Sequence, residues 1–314
     1  RATVRANWRR DALFGPGLLA TALFDLNADI YDIRQDATFE GTRTRLTGAA
    51  GVELRWPLTR ATGGGATQVL EPVVQVVWAS DDDDDIPKQD SALPEFDEGN
   101  LFALDRLPGP DAFEGGPRAT VGLSLTHFAP AGWSAGMTVG RVFRTEDPGS
   151  FSRASGLGGS RSDWLATLRL DTGAGLSLTN RLVFDDSFGV TKGEVRLGLD
   201  RARYGLASSY IWVQADPAEA RDAPVSELDL AGRFQINDAW SANADLRYDF
   251  TADRAATAGL RMEWRNECLR VDLSLSRQFT SSTSVRPTTD LGLSVELLGF
   301  GGSSRPGPAR GCRE

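Results

Sequence analysis

Glu227-Leu228-Asp229-Leu230-Ala231-Gly232-Arg233-Phe234-Gln235-Ile236 and, beyond a short break, Trp240-Ser241-Ala242-Asn243-Ala244-Asp245-Leu246-Arg247-Tyr248-Asp249-Phe250 alternate apolar or small residues with polar or charged ones. Successive side chains of an extended strand point to opposite faces. Leu228, Leu230, Phe234 and Ile236 therefore share one face, and Glu227, Asp229, Arg233 and Gln235 the other. The pattern recurs as Val195, Leu197 and Leu199 against Glu194, Arg196 and Asp200, and as Ala256, Ala258, Leu260, Met262 and Trp264 against Thr257, Arg261 and Glu263. It appears again as Leu269, Val271, Leu273 and Leu275 against Arg270, Asp272, Ser274 and Ser276. A slip of one residue would move every charge onto the apolar wall, so the register is strongly specified.

The connections carry a second rhythm. Counting back from a last strand near Thr288–Leu298, Ser281–Pro287 is loose, Asn266–Glu267 tight, Thr251–Arg254 medium, Asn237–Asp238 tight, Ala215–Val225 long and Ala202–Arg203 tight. Asp186–Val190 is medium, Thr172–Ala174 tight, Thr145–Ser162 long and Ala129–Gly132 tight; then come Ser80–Pro117, very long, Leu58–Gly65, short, Tyr31–Arg43, long, and Arg10–Pro16, short. Outer-membrane barrels sort their connections in this way, with short periplasmic turns and longer extracellular loops. An antiparallel sandwich also alternates. Strand length separates the two, because many runs approach or exceed the roughly 9–11 residues that a tilted strand needs to cross a bilayer. The aromatics agree: Trp8, Trp56, Trp133, Tyr204, Trp240 and Trp264 fall at one set of ends, and Trp78, Trp164, Trp212 and Phe250 at the other, as interfacial girdles do. The expected fold is all-β, an antiparallel transmembrane outer-membrane β-barrel of about 15 strands. An odd count means either that one strand is miscounted or, the favoured reading, that the segment is the carboxy-terminal portion of a larger barrel in which its first strand, Ala2–Arg9, has a neighbour upstream. Residues 1–300 form the barrel segment, 80–117 its long extracellular loop, and 301–314 a periplasmic tail.

Composition narrows the function. Acidic residues outnumber basic ones, 43 to 34, which argues against a nucleic-acid surface. No apolar run reaches the roughly 18 residues of a membrane-spanning helix. His127 is the single histidine, on the apolar wall with Val121, Leu123 and Leu125, where an interfacial role fits better than a catalytic one. No phosphate-binding loop or zinc motif is present, and an enzyme is not expected.

The last strand, Asp290-Leu291-Gly292-Leu293-Ser294-Val295-Glu296-Leu297, places a polar residue, then Gly292, then alternating Val295 and Leu297. It resembles the signal by which the barrel-assembly machinery captures a terminal strand. Further residues carry a wider resemblance: Leu70-Glu71-Pro72; Asn100-Leu101-Phe102 followed by Arg106, Gly109 and Asp111; Gly115-Gly116-Pro117-Arg118; Glu267-Cys268; and Val285-Arg286-Pro287. In that order they resemble the LPS-assembly protein family LptD. The resemblance implies a very large barrel, a periplasmic jelly-roll domain ahead of it, an LptE-like lipoprotein plug and a periplasmic LptA-like bridge. It implies that lipopolysaccharide (LPS) passes from the periplasm to the outer leaflet through a lateral gate, of which Asp290, Gly292, Val295 and Leu297 belong to the seam strand. It also implies that Cys268 bonds to a cysteine of the amino-terminal domain, with a Cys268–Cys312 bond as the competing pairing.

A phosphorylated, many-chained amphiphile needs a wet route for its head and an apolar one for its tails. Arg181, Arg196, Glu227, Asp229, Arg233, Arg247, Arg261 and Glu263 are candidate lumen residues. Most are expected to form structural ladders of opposite charge between neighbouring strands. In the long loop, Phe96, Leu101, Phe102, Leu104 and Phe113 are expected to anchor by packing, and Arg106 and Asp111 to pair with the wall. Asp81–Asp85 is a candidate Ca²⁺ or Mg²⁺ site, since hard cations take oxygen ligands, but a charge run is more often a solvated stretch. No other cofactor is expected. The competing function is a general outer-membrane porin or nutrient channel, which needs neither the Asn100–Asp111 motif nor a periplasmic cysteine.

Overall fold

The computed structural model describes residues 1–35, 38–81, 86–88, 93–279 and 287–298. Among them lie sixteen strands: β1 (Ala2–Phe14), β2 (Leu18–Ile33), β3 (Gly41–Arg55), β4 (Leu58–Ala61), β5 (Thr67–Ala79), β6 (Gly116–Phe128), β7 (Ser134–Arg144) and β8 (Trp164–Asp171), then β9 (Leu176–Phe184), β10 (Val190–Asp200), β11 (Tyr204–Val213), β12 (Val225–Gln235), β13 (Trp240–Asp249), β14 (Arg254–Arg265), β15 (Leu269–Gln278) and β16 (Thr288–Leu297). Each bonds to its neighbour in sequence, except that β3 and β4 both pair with β5. Pro57, which has no N–H to give a ladder, separates β3 from β4. The two run on as one stave, since Arg55 stands opposite Val73 and Leu58 opposite Leu70. About fifteen staves were expected, and this shared line reconciles that number with sixteen strands.

Burial along the strands is inverted relative to a soluble protein. Gln75 is 1% exposed and the next residue, Val76, 58%. On β2, β3 and β6 the polar side chains of Asp29, Thr47 and Thr120 are buried, whereas Val4, Leu46, Trp78 and Met137 are exposed. A sandwich would hide the second set and wet the first. A wall with hydrocarbon outside and polar groups inside does the reverse, so the sheet is that of an outer-membrane β-barrel. No helix among the described residues is long and apolar enough to cross a membrane.

The chain divides into two compact units, Arg1–Ala174 with Thr179–Glu194 and Val213–Pro224, and Gly175–Leu178 with Val195–Trp212 and Val225–Glu314. In the first, loops cover the polar face and two small apolar clusters form beneath them. In the second, alternation is plain: Leu230 faces Leu246, Leu260 faces Leu275, and Asp229 faces Arg247. Two of its tight connections, at Asn237 and Asn266, are Asx turns. Asn237 Oδ1 accepts from the N–H groups of Ala239 and Trp240, both 2.9 Å, and Asn266 Oδ1 from those of Cys268 and Leu269, 2.9 and 2.7 Å.

Several boundaries differ from the sequence expectation. β1 runs on to Phe14, so the turn is Gly15–Gly17, with both glycines at positive φ, rather than Arg10–Pro16. The charged run Arg9-Arg10-Asp11 looks like a turn but is held in the strand, where the Thr21 hydroxyl donates to Asp11 Oδ1 at 2.6 Å. Trp8 consequently stands opposite Phe24 in mid-strand and not at an interface. Leu58–Gly65 contains β4, which leaves the turn at Thr62–Gly65. Tyr31 and Arg43, expected at the ends of a loop, pair within β2 and β3.

This wall makes opposite demands on adjacent positions. Leu273→Arg, at mid-strand on the apolar face, is expected to destabilise the folded protein by about 2–4 kcal/mol, whereas Ser274→Arg on the polar face is tolerated. Urea unfolding in detergent micelles, followed by heat-dependent gel mobility, distinguishes the two variants.

Candidate functional site: a loop docked on the polar wall

The segment between β5 and β6 turns back onto the polar face of the first unit. Asp97 and Asn100 make the turn: Asp97 Oδ1 accepts from the N–H groups of Gly99 (2.8 Å) and Asn100 (3.0 Å), while Asn100 Oδ1 accepts from Asp97 N at 3.0 Å and its amide donates to Glu95 O. This delivers Phe96 and Leu101, both fully buried, into a cluster with Leu107 and with Val142, Leu165 and Val183 of β7, β8 and β9. Phe151 and Leu157 of the 145–163 loop complete it. The wall makes room with glycine. A Cβ at Gly122 would lie 2.7 Å from Phe102 Cζ, and one at Gly140 would collide with the Leu101 methyls. Phe113 packs with Ala49, Val77 and Ala79, with Leu104 beside them.

Three polar latches fasten the same loop. In the first, Glu114, fully buried, accepts from Arg106 Nη1 at 2.7 Å and from Arg144 Nη2 at 2.8 Å, with Arg118 Nε 3.8 Å away. Arg106 also donates to Leu101 O (2.6 Å) and Thr120 Oγ1 (3.1 Å), and Arg118 to Glu114 O (2.9 Å) and to Leu104 O. In the second, Arg45 donates to Asp111 O at 3.0 Å and to Pro110 O, while Arg45 and Arg1 both pair with Asp29. In the third, Glu98 accepts from Thr167 Oγ1 (3.0 Å), from Arg169, and from Arg181 Nε (2.8 Å); Arg181 also reaches Glu194 at 2.6 Å. Gln75 adds a bond from its amide to Phe102 O at 2.8 Å.

Burial in low dielectric is costly for these ions unless they are paired and hydrogen-bonded. It would raise the Glu114 carboxyl, but Arg106, Arg118 and Arg144 hold it below the ordinary glutamate value. Burial would also raise Glu98, which the hydrogen bond from Arg181 and the neighbouring charges bring down to about 2. Asp105 goes the other way. Burial pushes it up to about 6, even though the N–H groups of Leu107 and Glu114 donate to Oδ1 at 3.0 and 3.1 Å.

The structure thus gathers Asn100, Leu101, Phe102, Arg106, Gly109, Asp111 and Arg118 into one assembly, with Gly109 at φ 84°. Asp111 joins through its main-chain carbonyl. Glu98, Glu114, Arg45 and Arg144 are further members that sequence reasoning missed. Arg144 had a signal, since it shares the polar-face parity of Arg118, its partner across the ladder.

The remaining candidate lumen residues lie elsewhere. In the second unit Arg247 Nε donates to Asp229 Oδ1 at 2.8 Å, Arg233 reaches Asp200 across Gly205, and Arg270 bridges Glu263 (3.7 Å) and Glu296 (3.0 Å). Glu227 faces Asp249, and Arg261 faces Asn243 and Ser274. Arg196 is an exposed residue of β10. A hollow of about 490 Å³ opens on this face, lined by small residues such as Gly198, Gly205 and Ala231 and rimmed by Asp200, Arg233 and Asp245. On β16, Asp290, Gly292, Val295 and Leu297 stand opposite Ser276, Ser274, Val271 and Leu269 of β15. A Cβ on Gly292 would lie 2.6 Å from Ser274 Oγ. His127 stacks on Trp133 with ring centroids 4.8 Å apart, in keeping with an interfacial place. Asp81 is exposed, while Asp82–Asp85 and Cys312 lie outside the described residues. Cys268 is not a free thiol.

A family model described as LPS transport system D matches residues 1–240. The LPS-assembly protein LptD of Vibrio cholerae is 23% identical over 275 residues, covering 76% of this chain and 34% of that protein. That of Nitrosomonas eutropha is 24% identical over 284 residues, covering 87% and 37%. The chain therefore spans about a third of the length of the curated relatives it matches. Among solved structures, a mutant of the ferric enterobactin receptor PfeA of Pseudomonas aeruginosa is similar at a TM-score of 0.46 and 10% identity, covering 93% of this chain and 54% of that one. A triple mutant of the Rhodopseudomonas blastica porin gives 0.33 and 11%, covering 95% and 91%.

Two outcomes are expected for the loop. Glu114→Ala leaves three buried guanidiniums without their shared carboxylate, at a cost of about 3–5 kcal/mol, and limited proteolysis then cleaves between β5 and β6. The second outcome concerns pH. Because its folded value lies above the usual 3.8, Asp105 favours docking fully below that pH and loses the contribution as pH rises through about 6. Glu98, held at about 2 against 4.5, contributes above 4.5 and loses that as pH falls towards 2. Asp105→Asn should therefore raise the melting temperature at pH 8 but not at pH 4.

Proposed function

The chain belongs to the LptD family of LPS transport proteins, and from that premise we propose that it forms part of the outer-membrane wall through which LPS moves from the periplasm to the outer leaflet. Its location is the Gram-negative outer membrane. The observation that carries the reading is the docked loop. The Asn100–Asp111 motif folds onto the polar face and is fixed there by Glu114, Arg45 and Glu98, as a permanent fitting of a lumen rather than a mobile surface loop.

The polar face of the second unit suits the head of such an amphiphile. It is lined by exchangeable charges and an open hollow rather than by a sealed core. The tails require lipid, and β16 supports a seam there: Leu291 and Leu293 are largely exposed on its apolar face, and β15 is its neighbour in the strand order. In this reading β16 is the carboxy-terminal side of a lateral gate. Asp290, Gly292, Val295 and Leu297 mark it for the barrel-assembly machinery, which would add it to another sheet by β-augmentation. An LptE-like lipoprotein would occupy lumen space, and an LptA-like bridge would deliver LPS to a periplasmic domain. Cys268, in a tight turn on the side of the short connections, would tie the barrel to that domain, with Cys312 as the competing partner.

Depletion of the protein in its host is expected to strip LPS from the cell surface while solute uptake holds. Slowed uptake with normal surface LPS would instead identify a porin. For the thiol, a non-reducing gel of the intact protein should show a species whose mobility changes on Cys268→Ser but persists on Cys312→Ser; dependence on both cysteines would establish the internal bond.

A further inference from the structure

Two arginines stand near the loop-side ends of strands on the apolar face, and their surroundings differ. Arg141 of β7 follows Met137 and Val139 at every second position and lies opposite Val121. It is buried and compensated: Nη1 meets Asp186 Oδ1 at 2.6 Å, Nε donates to Ser162 O at 2.6 Å, and the guanidinium lies 5.2 Å from the Trp164 ring centroid. Its charge is already spent.

Arg277 of β15 continues the apolar row Leu269, Val271, Leu273 and Leu275. It is exposed, with Ala258 of β14 on one side and Thr289 of β16 on the other. Its guanidinium lies 5.0 Å from the Phe279 ring centroid, and among the described residues no carboxylate pairs with it. Leu269 and Arg277 are roughly 26 Å apart along the strand at about 3.3 Å per residue, which a tilt of about 40° reduces to roughly 20 Å of height. The apolar band of such a wall is about 25 Å tall. Arg277 therefore sits within roughly 5 Å of the rim of that band, on the side of the long connections, close enough for its long side chain to carry the guanidinium up to the headgroups.

A cation in that place gains from an anionic group at the same depth, and a guanidinium matches phosphate with a fork of donors. We propose that Arg277, backed by Phe279 and flanked by the small side chains of Ala258 and Thr289, binds a phosphate of LPS in the outer leaflet beside the last hairpin. The proposal rests on the outer-membrane LPS reading above and adds a lipid contact on the outer face of the wall. Phe279 holds the guanidinium, and the exposed Leu291 and Leu293 of β16 lie alongside for acyl chains.

The test uses the intact protein purified in detergent, as wild type, Arg277→Ala and Arg277→Lys. Each is loaded with phosphorylated LPS, with the same LPS after phosphate removal, or with phosphatidylglycerol, and retained lipid is counted by native mass spectrometry. Arg277→Ala is expected to lower retention of phosphorylated LPS about fivefold, Arg277→Lys to recover part of it, and the dephosphorylated lipid to be held equally by all three. Equal retention of phosphorylated LPS by wild type and Arg277→Ala overturns the site, as does an equal loss with phosphatidylglycerol, which would mark a general anionic rim contact. Surface LPS in depleted cells is scored separately. If it is unchanged by depletion the transport reading fails, whereas dependence on the protein together with unaltered retention defeats the Arg277 site alone.

Discussion

Hydrocarbon offers no partner to a peptide N–H or C=O, so a chain that crosses it must satisfy every backbone group within its own wall. The ladder meets that demand for the strands between β1 and β16, and those two are each paired on one edge within the described residues. It also dictates the side chains, because a strand bonded on both edges has only two faces to offer, one to lipid and one to water. The burial of Gln75 beside the exposure of Val76 is that division at the scale of adjacent residues.

The polar face then has to be filled or wetted. In the first unit it is filled, and the filling is both apolar and ionic. Leu101 and Phe96 sink into hollows opened by wall glycines, while Glu114 draws three arginines together. The second unit answers with pairs such as Asp229–Arg247, whose partners remain partly open to solvent and so contribute little rigidity. One stretch of polar wall is thereby closed by protein, and another keeps its charges exchangeable.

Much of this was legible in the sequence, because period-two alternation and sorted connections are local signals. The docking of Leu101, Phe102 and Arg106 was legible too, since apolar side chains in a long loop need somewhere to go. Where β1 ends was not, because Arg9-Arg10-Asp11 reads as a turn until Thr21 is seen across the ladder. Val142, Leu165 and Val183 were missed for a related reason. They occupy polar-face positions, and only the loop above them makes an apolar residue sensible there. Glu98 and Glu114 owe their roles to partners distant in sequence, such as Arg181 and Arg144, and no spacing rule announces a pairing of that kind.

That apolar island has a bearing on biogenesis. With strands β7–β9 formed but the loop still outside, Val142, Leu165 and Val183 would present an oily surface to water at the heart of the nascent wall. Such a surface invites association with the wrong chain. Laying the loop down while these hairpins are being joined hides it at once, so the order of assembly is already written into which inward positions are greasy.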